Sequence, residues 1–453
     1  MNIIIAGAGA VGTHLAKLLV RERHSITLID NVPHRLDSLA SNFDIMTLTG
    51  NPLSIQVLRE AEVEHADLFI AVMPDEAHNM TSCMVAKQLG AKRTVARVDN
   101  YEYTLREHRE VFEKAGINSI IYPELLAGRE IAHNVRHSWV RQWWDFQDGR
   151  LLLLGIKVRK GAPIIGQPLR EVCPPESPFL VVAVKHEGET LIPHGNDAVA
   201  EGDLVFFMTT PNYIDHLRNL VGKEGYPVVH NVFIMGGSDT ATHAVRLMPP
   251  DMTAKVFEMD YDRAQHLTET IGKRAMIVNG DGRDLELLQD ENIGGAQAFL
   301  ALTGNSESNI LACLAAKRLG VRKTVAMIEN SDYISMAESL DIGCIINKKT
   351  FAASHIYQMM LKADVTSIKT LTIAAADVVE IKVPEGARIT RHPIKDLGLP
   401  ATVNLGGLVR DGKAILINGL TQVKAGDMVV AFCLQGEVKK LDRFFKPAAG
   451  LFS

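Results

Sequence analysis

A chain of 453 residues, 47% hydrophobic and 22% charged, has the composition of a globular protein and length for roughly three domains. Its net charge of −5 at pH 7 argues against a nucleic-acid-binding surface, and apolar runs such as Leu68–Met73 and Leu151–Ile156 fall far short of the ~20 residues of a membrane span. Five scattered cysteines, with no CxxC or Cys/His cluster, predict reduced thiols in a cytosolic setting and no metal centre.

The first thirty residues carry the most specific pattern. Met1 to Ala6 is a short apolar run of strand type, so the N-terminus reads as a core strand and not as a signal peptide. It enters Gly7-Ala8-Gly9-Ala10-Val11-Gly12, after which Thr13 to Val20 continue at helical spacing. A second apolar run, Ser25 to Ile29, ends on Asp30. Strand, glycine turn, helix, strand and acid in this order form a dinucleotide-binding fingerprint. Gly7 permits the tight turn, Gly9 leaves room for a pyrophosphate against the backbone, and Gly12 lets helix and strands pack closely. The helix start offers free N–H groups to phosphate, and Asp30 is placed to accept ribose hydroxyls and to repel a 2′-phosphate, which favours NAD(H) over NADP(H).

Strand runs at 2–6, 26–30, 45–48, 68–72, 94–98 and 119–122 alternate with helical stretches, which predicts a parallel sheet with helices on both faces. A connector helix over Pro123–Trp139 carries Leu125, Leu126, Ile131, Ala132, Val135 and Trp139 on one stripe, and His133 and His137 lie on it at i, i+4. No acidic or cysteine co-ligand adjoins these histidines, so exposed or interface positions are expected and not a metal face. Trp139, Trp143 and Trp144, flanked by Arg136 and Arg141, are expected at a subunit interface in preference to a membrane surface. From about 151 the texture changes to short β-type runs (151–158, 179–184, 204–208), closed by a helix at 212–221, which reads as a compact α+β module. Gly222–Gly225 and Tyr226-Pro227 read as a linker.

The chain then repeats itself. Asn2 to Gly7 return as Asn231 to Gly236, Leu28-Ile29-Asp30 as Val256-Phe257-Glu258, and Gly50-Asn51 as Gly280-Asp281. Asn79, Cys83, Leu89-Gly90 and Thr94-Val95-Ala96 return as Asn309, Cys313, Leu319-Gly320 and Thr324-Val325-Ala326. The small module recurs too: Pro168 to Val172 echoes Pro393 to Leu397, and Gly202-Asp203 echoes Gly426-Asp427. The second glycine turn is degraded, reading Gly236-Gly237-Ser238-Asp239-Thr240-Ala241. Ser238 replaces the phosphate-approach glycine, Ala241 the packing glycine, and Asp239 adds a carboxylate where pyrophosphate would lie. That turn binds weakly, binds something less charged, or is only structural. A second apolar connector stripe (Phe351, Ile356, Met359, Met360) falls in 348–365. No stretch supplies the substrate domain and proton donor of a dehydrogenase, and no nucleophilic triad is visible, so no catalytic residue is assigned. An NAD-dependent oxidoreductase with an inter-domain substrate site is the alternative reading.

Taken together, IIIAGAGAVG at 3–12, LID at 28–30, AVMPDEAHN at 71–79, ARV at 96–98, ALTGNSESN at 301–309 and LKADVTSI at 361–368 resemble the regulatory subunits of Trk-type potassium uptake systems, built from two RCK (KTN) domains. The resemblance covers essentially the whole chain. It implies an α/β fold of two tandem units, each a Rossmann-like doubly wound parallel sheet followed by a small α+β RCK C-terminal module. The corresponding boundaries are 1–145, 146–222, 228–365 and 366–453. It further implies a non-enzymatic nucleotide sensor that binds NAD(H) and, as in several members, ATP or ADP. Such a sensor is a homo-oligomer, a ring-like tetramer, held peripherally at the cytoplasmic face beneath an integral membrane subunit of TrkH/TrkG type whose potassium flow it gates. Carried over, the first site comprises Gly7, Ala8, Gly9, Ala10, Val11 and Gly12 at the pyrophosphate and Asp30 at the ribose. Met73 and Pro74 join from the end of the fourth strand, and Arg97 and Val98 from the fifth. The second site comprises Gly236, Gly237, Ser238, Glu258, Asp281 and Thr303. Two departures stand out: Asn51 replaces the acid usual after Gly50, and Met73-Pro74 a Thr-containing pair.

Overall fold

Short apolar runs that alternate with amphipathic helices can hide both faces only as parallel strands covered on each side. The chain does this twice. The computed structural model describes residues 1–21, 24–330, 332–360, 365–371, 376–434 and 436–446. Strands Asn2–Ala6, Ser25–Asp30, Met46–Thr49, Leu68–Ala71, Thr94–Arg97 and Ser119–Ile121 make one sheet. Asn231–Met235, Thr253–Glu258, Ala275–Asn279, Ala298–Ala301, Lys323–Met327 and Cys344–Ile346 make the other. Counted along the chain, each set lies in the spatial order 3-2-1-4-5-6 with parallel pairing. The order reverses beside the first strand, which is where a Rossmann sheet opens its ligand crevice.

Two five-stranded antiparallel sheets share a second common order, 1-2-5-3-4. One contains Gln142–Phe146, Leu151–Lys157, Phe179–His186, Glu189–Leu191 and Leu204–Thr209; the other contains Val365–Leu371, Ala376–Lys382, Val403–Arg410, Lys413–Leu416 and Met428–Leu434. The fold is therefore α/β with tandem Rossmann-like and α+β parts. The first antiparallel sheet begins at Gln142, ahead of the residue-146 boundary expected from sequence.

By contact density the chain divides into residues 1–127 with 347–360, and 128–346 with 361–453. In the first unit the helix Lys348–Met360 packs on the helix Ala10–Arg21. Lys348 reaches Glu124 at 3.1 Å and Arg93 donates to the Met359 carbonyl at 3.2 Å. The buried face of Lys348–Met360 runs through Ala352, Ala353, Ile356, Tyr357 and Met360, while residues 361–364 of the expected connector lie outside the described residues. In the second unit the two antiparallel sheets meet face to face. Phe206 and Phe432 pack with ring centroids 5.8 Å apart, and Met208 fills the space a Cβ on Gly406 would occupy. Gly128 lies against the helix Asp239–Leu247, where a Cβ would come within 2.7 Å of His243 Cβ.

Two expectations around the first connector are corrected. The helix stops at Asn134 and does not continue to Trp139. The Asn134 side chain folds back, donating to the Glu130 carbonyl at 2.9 Å and accepting the Trp143 amide at 2.6 Å, so the chain leaves the helix and enters a strand. Trp143 and Trp144 then alternate on that strand and bury on opposite faces of its sheet; with Trp139 all three are at most 8% exposed within their own chain. Neither a membrane nor a subunit interface is needed to cover them. His133 pairs with Asp145 at 2.8 Å while His137 stacks on Trp143 at 3.8 Å, so the two imidazoles part. No cluster of three or more His, Cys, Asp or Glu able to hold a metal occurs among the described residues.

The segment expected to be a linker is tied down. Arg218 donates to the carbonyls of Lys223 (3.0 Å), Glu224 (3.1 Å) and Tyr226, Val229 donates to the Arg136 carbonyl at 3.1 Å, and Lys223 is 3% exposed. None of the five cysteines is in a disulfide, and burial pushes the Cys313 thiol up to about 12, so it stays protonated. No helix of the described residues is long and apolar enough to cross a membrane.

Burial, helped by the nearby charges of Lys323, Arg136, His133 and Arg218, lowers the His137 imidazole to about 4. The unfolded chain therefore takes up this proton before the folded one does, and stability falls as pH drops from about 6.5 towards 4. Discounting for partial exposure, His137→Phe, which keeps the stack on Trp143, should remove about 2 kcal/mol of this acid sensitivity. Chemical denaturation of both proteins across pH 4–7 checks it; parallel pH profiles would contradict it.

Candidate nucleotide site

The first glycine turn is built around one backbone requirement and one carboxylate. Gly7 sits at φ +107°, which only glycine adopts without strain, and donates its N–H to the Ile29 carbonyl at 2.8 Å. A Cβ there would also meet the Met73 amide nitrogen at 3.1 Å, so the turn leans on the end of the fourth strand. Asp30, 5% exposed, accepts the Ala8 N–H through one oxygen at 2.7 Å and the Val32 N–H through the other at 2.9 Å. The acid thus locks the glycine turn to the following loop. Each oxygen keeps a lone pair for a further donor. Arg35 lies 3.7 Å from the carboxylate.

The glycines separate cleanly by job. A Cβ on Gly12 would stand 1.9 Å from the Gly7 carbonyl oxygen, so close helix–strand packing requires glycine. A Cβ on Gly9 would meet no atom within 4 Å, so the fold itself does not require glycine there. Ala10 begins the helix and is exposed, whereas Val11 is buried.

On the other side of the crevice, buried Asn79 joins two strand ends. Its Oδ1 accepts the Met73 N–H at 2.7 Å, and its Nδ2 donates to the carbonyls of Met73 (2.9 Å) and Arg97 (3.0 Å). Arg97 pairs with Asp99 at 2.8 Å and reaches the Met73 carbonyl at 3.5 Å, while its Nε is buried without a hydrogen-bond partner. Pro74 is exposed; Val98 is fully buried with Tyr122 and Leu125, so its side chain faces the core and not the crevice.

The second turn repeats this geometry with different chemistry. Gly236 takes φ +93°, and Glu258 accepts the Gly237 and Asp260 N–H groups at 2.8 and 3.0 Å, as Asp30 does in the first copy. Asn309 holds Thr303 and Met327 as Asn79 holds Met73 and Arg97. Gly236, Gly237, Ser238, Glu258, Asp281 and Thr303 line one cavity of about 350 Å³. Ser238 caps the helix Asp239–Leu247, its hydroxyl accepting the Ala241 N–H at 3.3 Å. The cap occupies a donor that a phosphate would otherwise use. Asp239, expected to repel pyrophosphate, does not line this cavity.

Sequence reasoning missed Arg263 and Arg283, which do line it. Arg263 lies 4.0 Å from Glu258 and donates to the Gly237 carbonyl at 3.0 Å, the counterpart of Arg35 beside Asp30. The spacing from acid to arginine is the same in both halves, and that repeat was a readable signal. Arg283 is held by Asp281 at 2.7 Å, and this bond, working against desolvation, keeps the Asp281 carboxyl below its ordinary range.

A Rossmann sheet with its glycine turn and acid, followed by a five-stranded antiparallel module and then both again, defines a protein of two duplicated Rossmann-plus-module units. Comparison with known families agrees part by part: the TrkA-N domain matches residues 3–123 and 232–348, and the TrkA-C domain residues 153–222 and 378–446. The chain belongs to the TrkA family of Trk system potassium uptake proteins. It is 31% identical to the Trk system potassium uptake protein TrkA of Haemophilus influenzae over 99% of both chains. It is 28% identical to the TrkA homolog of Archaeoglobus fulgidus, covering 98% of this chain and all of that one. Among solved structures it is similar in fold to the GsuK RCK domain (TM-score 0.59, 17% identity, 98% of this chain and 94% of that one). It is also similar in fold to the GsuK channel bound to NAD (TM-score 0.59, 16% identity, 98% and 78%).

Because Gly9 faces open space and Gly12 faces a carbonyl, their substitutions should separate. Gly12→Ala is expected to lower stability by about 1–3 kcal/mol through overpacking, and Gly9→Val to leave it within about 0.5 kcal/mol. Urea unfolding of the two variants tests this; equal losses would show that Gly9 is also held by the fold.

Proposed function

We propose that this chain is the nucleotide-sensing regulatory subunit of a Trk-type potassium transport system, with no catalytic step of its own. The observation that carries the reading is the first glycine turn within a TrkA-family chain: a cradle that the fold leaves open at Gly9, a helix start behind it, a carboxylate at Asp30 and the orphaned Arg97 Nε opposite. These groups suit NAD(H), with the pyrophosphate at Gly7–Gly12, the ribose at Asp30, and Met73, Pro74 and Arg97 flanking the far side. Val98 contributes only its main chain. The GsuK channel bound to NAD supports the ligand class by likeness of fold. ATP and ADP share the adenosine and phosphate features that such a crevice reads. The second crevice, self-capped by Ser238 but carrying Arg263 and Arg283, is the weaker dinucleotide site and favours a ligand whose phosphates meet guanidinium groups and not a helix start. The protein acts at the cytoplasmic face of the membrane beneath an integral subunit of TrkH/TrkG type. A ligand shifts a conformational equilibrium only by its differential affinity for the two states, so nucleotides that grip the crevice differently gate differently.

Calorimetry with NADH, NAD, ATP, ADP and NADPH should give NADH or NAD binding that Gly9→Val weakens at least tenfold at unchanged stability, with NADPH weaker than NADH. Unchanged affinity in Gly9→Val would remove the first turn as the site. In liposomes holding the membrane subunit, nucleotide bound to this chain is expected to alter potassium flux roughly 5- to 150-fold, the range that about 1–3 kcal/mol of coupling produces. Flux indifferent to both protein and nucleotide, with binding confirmed, would remove the regulatory role.

The chain is expected to assemble as a homotetramer, as its resemblance to the Trk regulatory subunits implies. Light scattering at micromolar protein is expected to return four times the 49.7 kDa chain mass; a monomer mass with and without nucleotide would contradict it.

A further inference from the structure

A second polar cavity, of about 450 Å³, lies at the opposite edge of the second Rossmann sheet, by the amino end of its fifth strand Lys323–Met327. It shares no lining residue with the second glycine crevice. Seven Lys and Arg side chains line it against a single carboxylate, Asp341. Asp341 is held at φ +55° in the left-handed region and meets four of the seven: Arg141, Arg159, Lys157 at 3.7 Å and Lys317 at 3.1 Å. Burial alone would raise its carboxyl, but Arg141, Arg159 and Lys317 hold it well below the usual carboxylate range.

The other three cations, Lys223, Arg322 and Lys323, have no carboxylate in the cavity wall. Lys223 donates to the Tyr226 hydroxyl at 3.0 Å and lies 4.3 Å from its ring centroid; Arg322 lies 5.6 Å from the same ring. Lys323 is 4% exposed and donates to the Val140 carbonyl at 2.6 Å. Burial lowers its ammonium to about 8, with like-charged Arg141 adding to the effect. The first half carries the equivalent pair Lys92-Arg93 on its surface. There Lys92 meets Asp67 at 2.8 Å and Arg93 a main-chain carbonyl, so the cavity is a property of the second copy and not of the repeat. Gathering this much like charge in a partly dry cavity is strongly unfavourable unless an anion enters it.

We infer that this cavity binds a multiply charged phosphate anion. One phosphate group would face Lys323 and Arg322, a second Lys223 and Arg159, and Asp341 would set the geometry of the arginines. The volume lies within the roughly 300–1,000 Å³ of small-molecule sites, more than a lone inorganic ion needs. Planar guanidinium groups are the side chains best matched to phosphate oxygens. The shared chemistry is a di- or triphosphate, whether inorganic or the tail of a nucleotide. The site does not rest on the nucleotide reading of the glycine turns.

Full-length protein carrying Gly9→Val and Arg283→Gln, which weaken the two glycine crevices, would be titrated with inorganic pyrophosphate, tripolyphosphate and ATP at matched ionic strength, with sulfate as control. We expect micromolar binding and a raised melting temperature with at least one of the phosphates. Arg322→Gln, at an exposed side chain, should weaken it at least tenfold, and Lys323→Met should weaken it further. Binding of pyrophosphate and ATP alike assigns an inorganic-type phosphate site; binding of ATP alone assigns a nucleotide tail. No phosphate exceeding sulfate, or binding unchanged in folded Arg322→Gln, would overturn the inference.

Discussion

Asp30 grips two backbone amides at once, Ala8 in the glycine turn and Val32 in the loop after the second strand, and most of the first site depends on that grip. A carboxylate with 5% exposure is costly to bury, and two charge-assisted bonds to amides that have no other partner offset the cost. With the turn fixed, Gly7 can hold its positive φ against Met73, Gly12 can approach the Gly7 carbonyl, and the helix start is aimed into the crevice. Glu258 repeats the grip on Gly237 and Asp260 through a side chain one methylene longer. Two copies that have lost much of their glycine pattern in common have kept this one, and it is the constraint that makes both halves the same fold.

The far wall of each crevice depends on a side-chain amide. Asn79 and Asn309 are the buried ties between the ends of the fourth and fifth strands, each bonded to the main chain of both. Parallel neighbours diverge at their carboxyl ends as a sheet twists, leaving carbonyls and amides that no further strand residue can reach. An asparagine, donor and acceptor in one planar group, satisfies them and fixes the spacing of the wall. In the first copy this positions Arg97, and in the second Met327 stands in the same place. The cation lost on that wall is regained at Arg283 across the cavity.

Local and periodic features were legible in the chain; long-range ones were not. The six strands of the first sheet, the glycine turn, the acid and the duplicate at an offset near 229 all follow from patterns a few residues wide. Trp143 and Trp144 misled because a strand packed on both faces shows no alternation, and next to a helix its tryptophans read as an apolar surface. Asp30 was legible as a ribose acceptor but not as the clasp of its own turn, since that needs the Ala8 amide to be placed first. Arg35 and Arg263 were within reach, sitting at equal distances from their acids in both halves. The cationic cavity was out of reach: its walls come from residues between Ser138 and Cys344 that only the fold assembles.

Duplication explains why the two crevices now differ in chemistry while agreeing in shape. In the first, Gly9 has no side chain, so the helix start keeps its amides for a ligand; in the second, Ser238 uses one of them within the protein. Against the glycine that stands there in the first copy, a serine N-cap is worth only about a few tenths of a kcal/mol to the helix, through an acceptor that Gly9 cannot supply. The first half therefore lacks a side-chain cap bond that the second half makes within the protein. The second half makes that bond internally, and the arginines of its cavity pair with Glu258 and Asp281. Two copies of one fold thus differ in whether the helix after the glycine turn is capped from within, and that difference lies in a single side chain at the start of the helix.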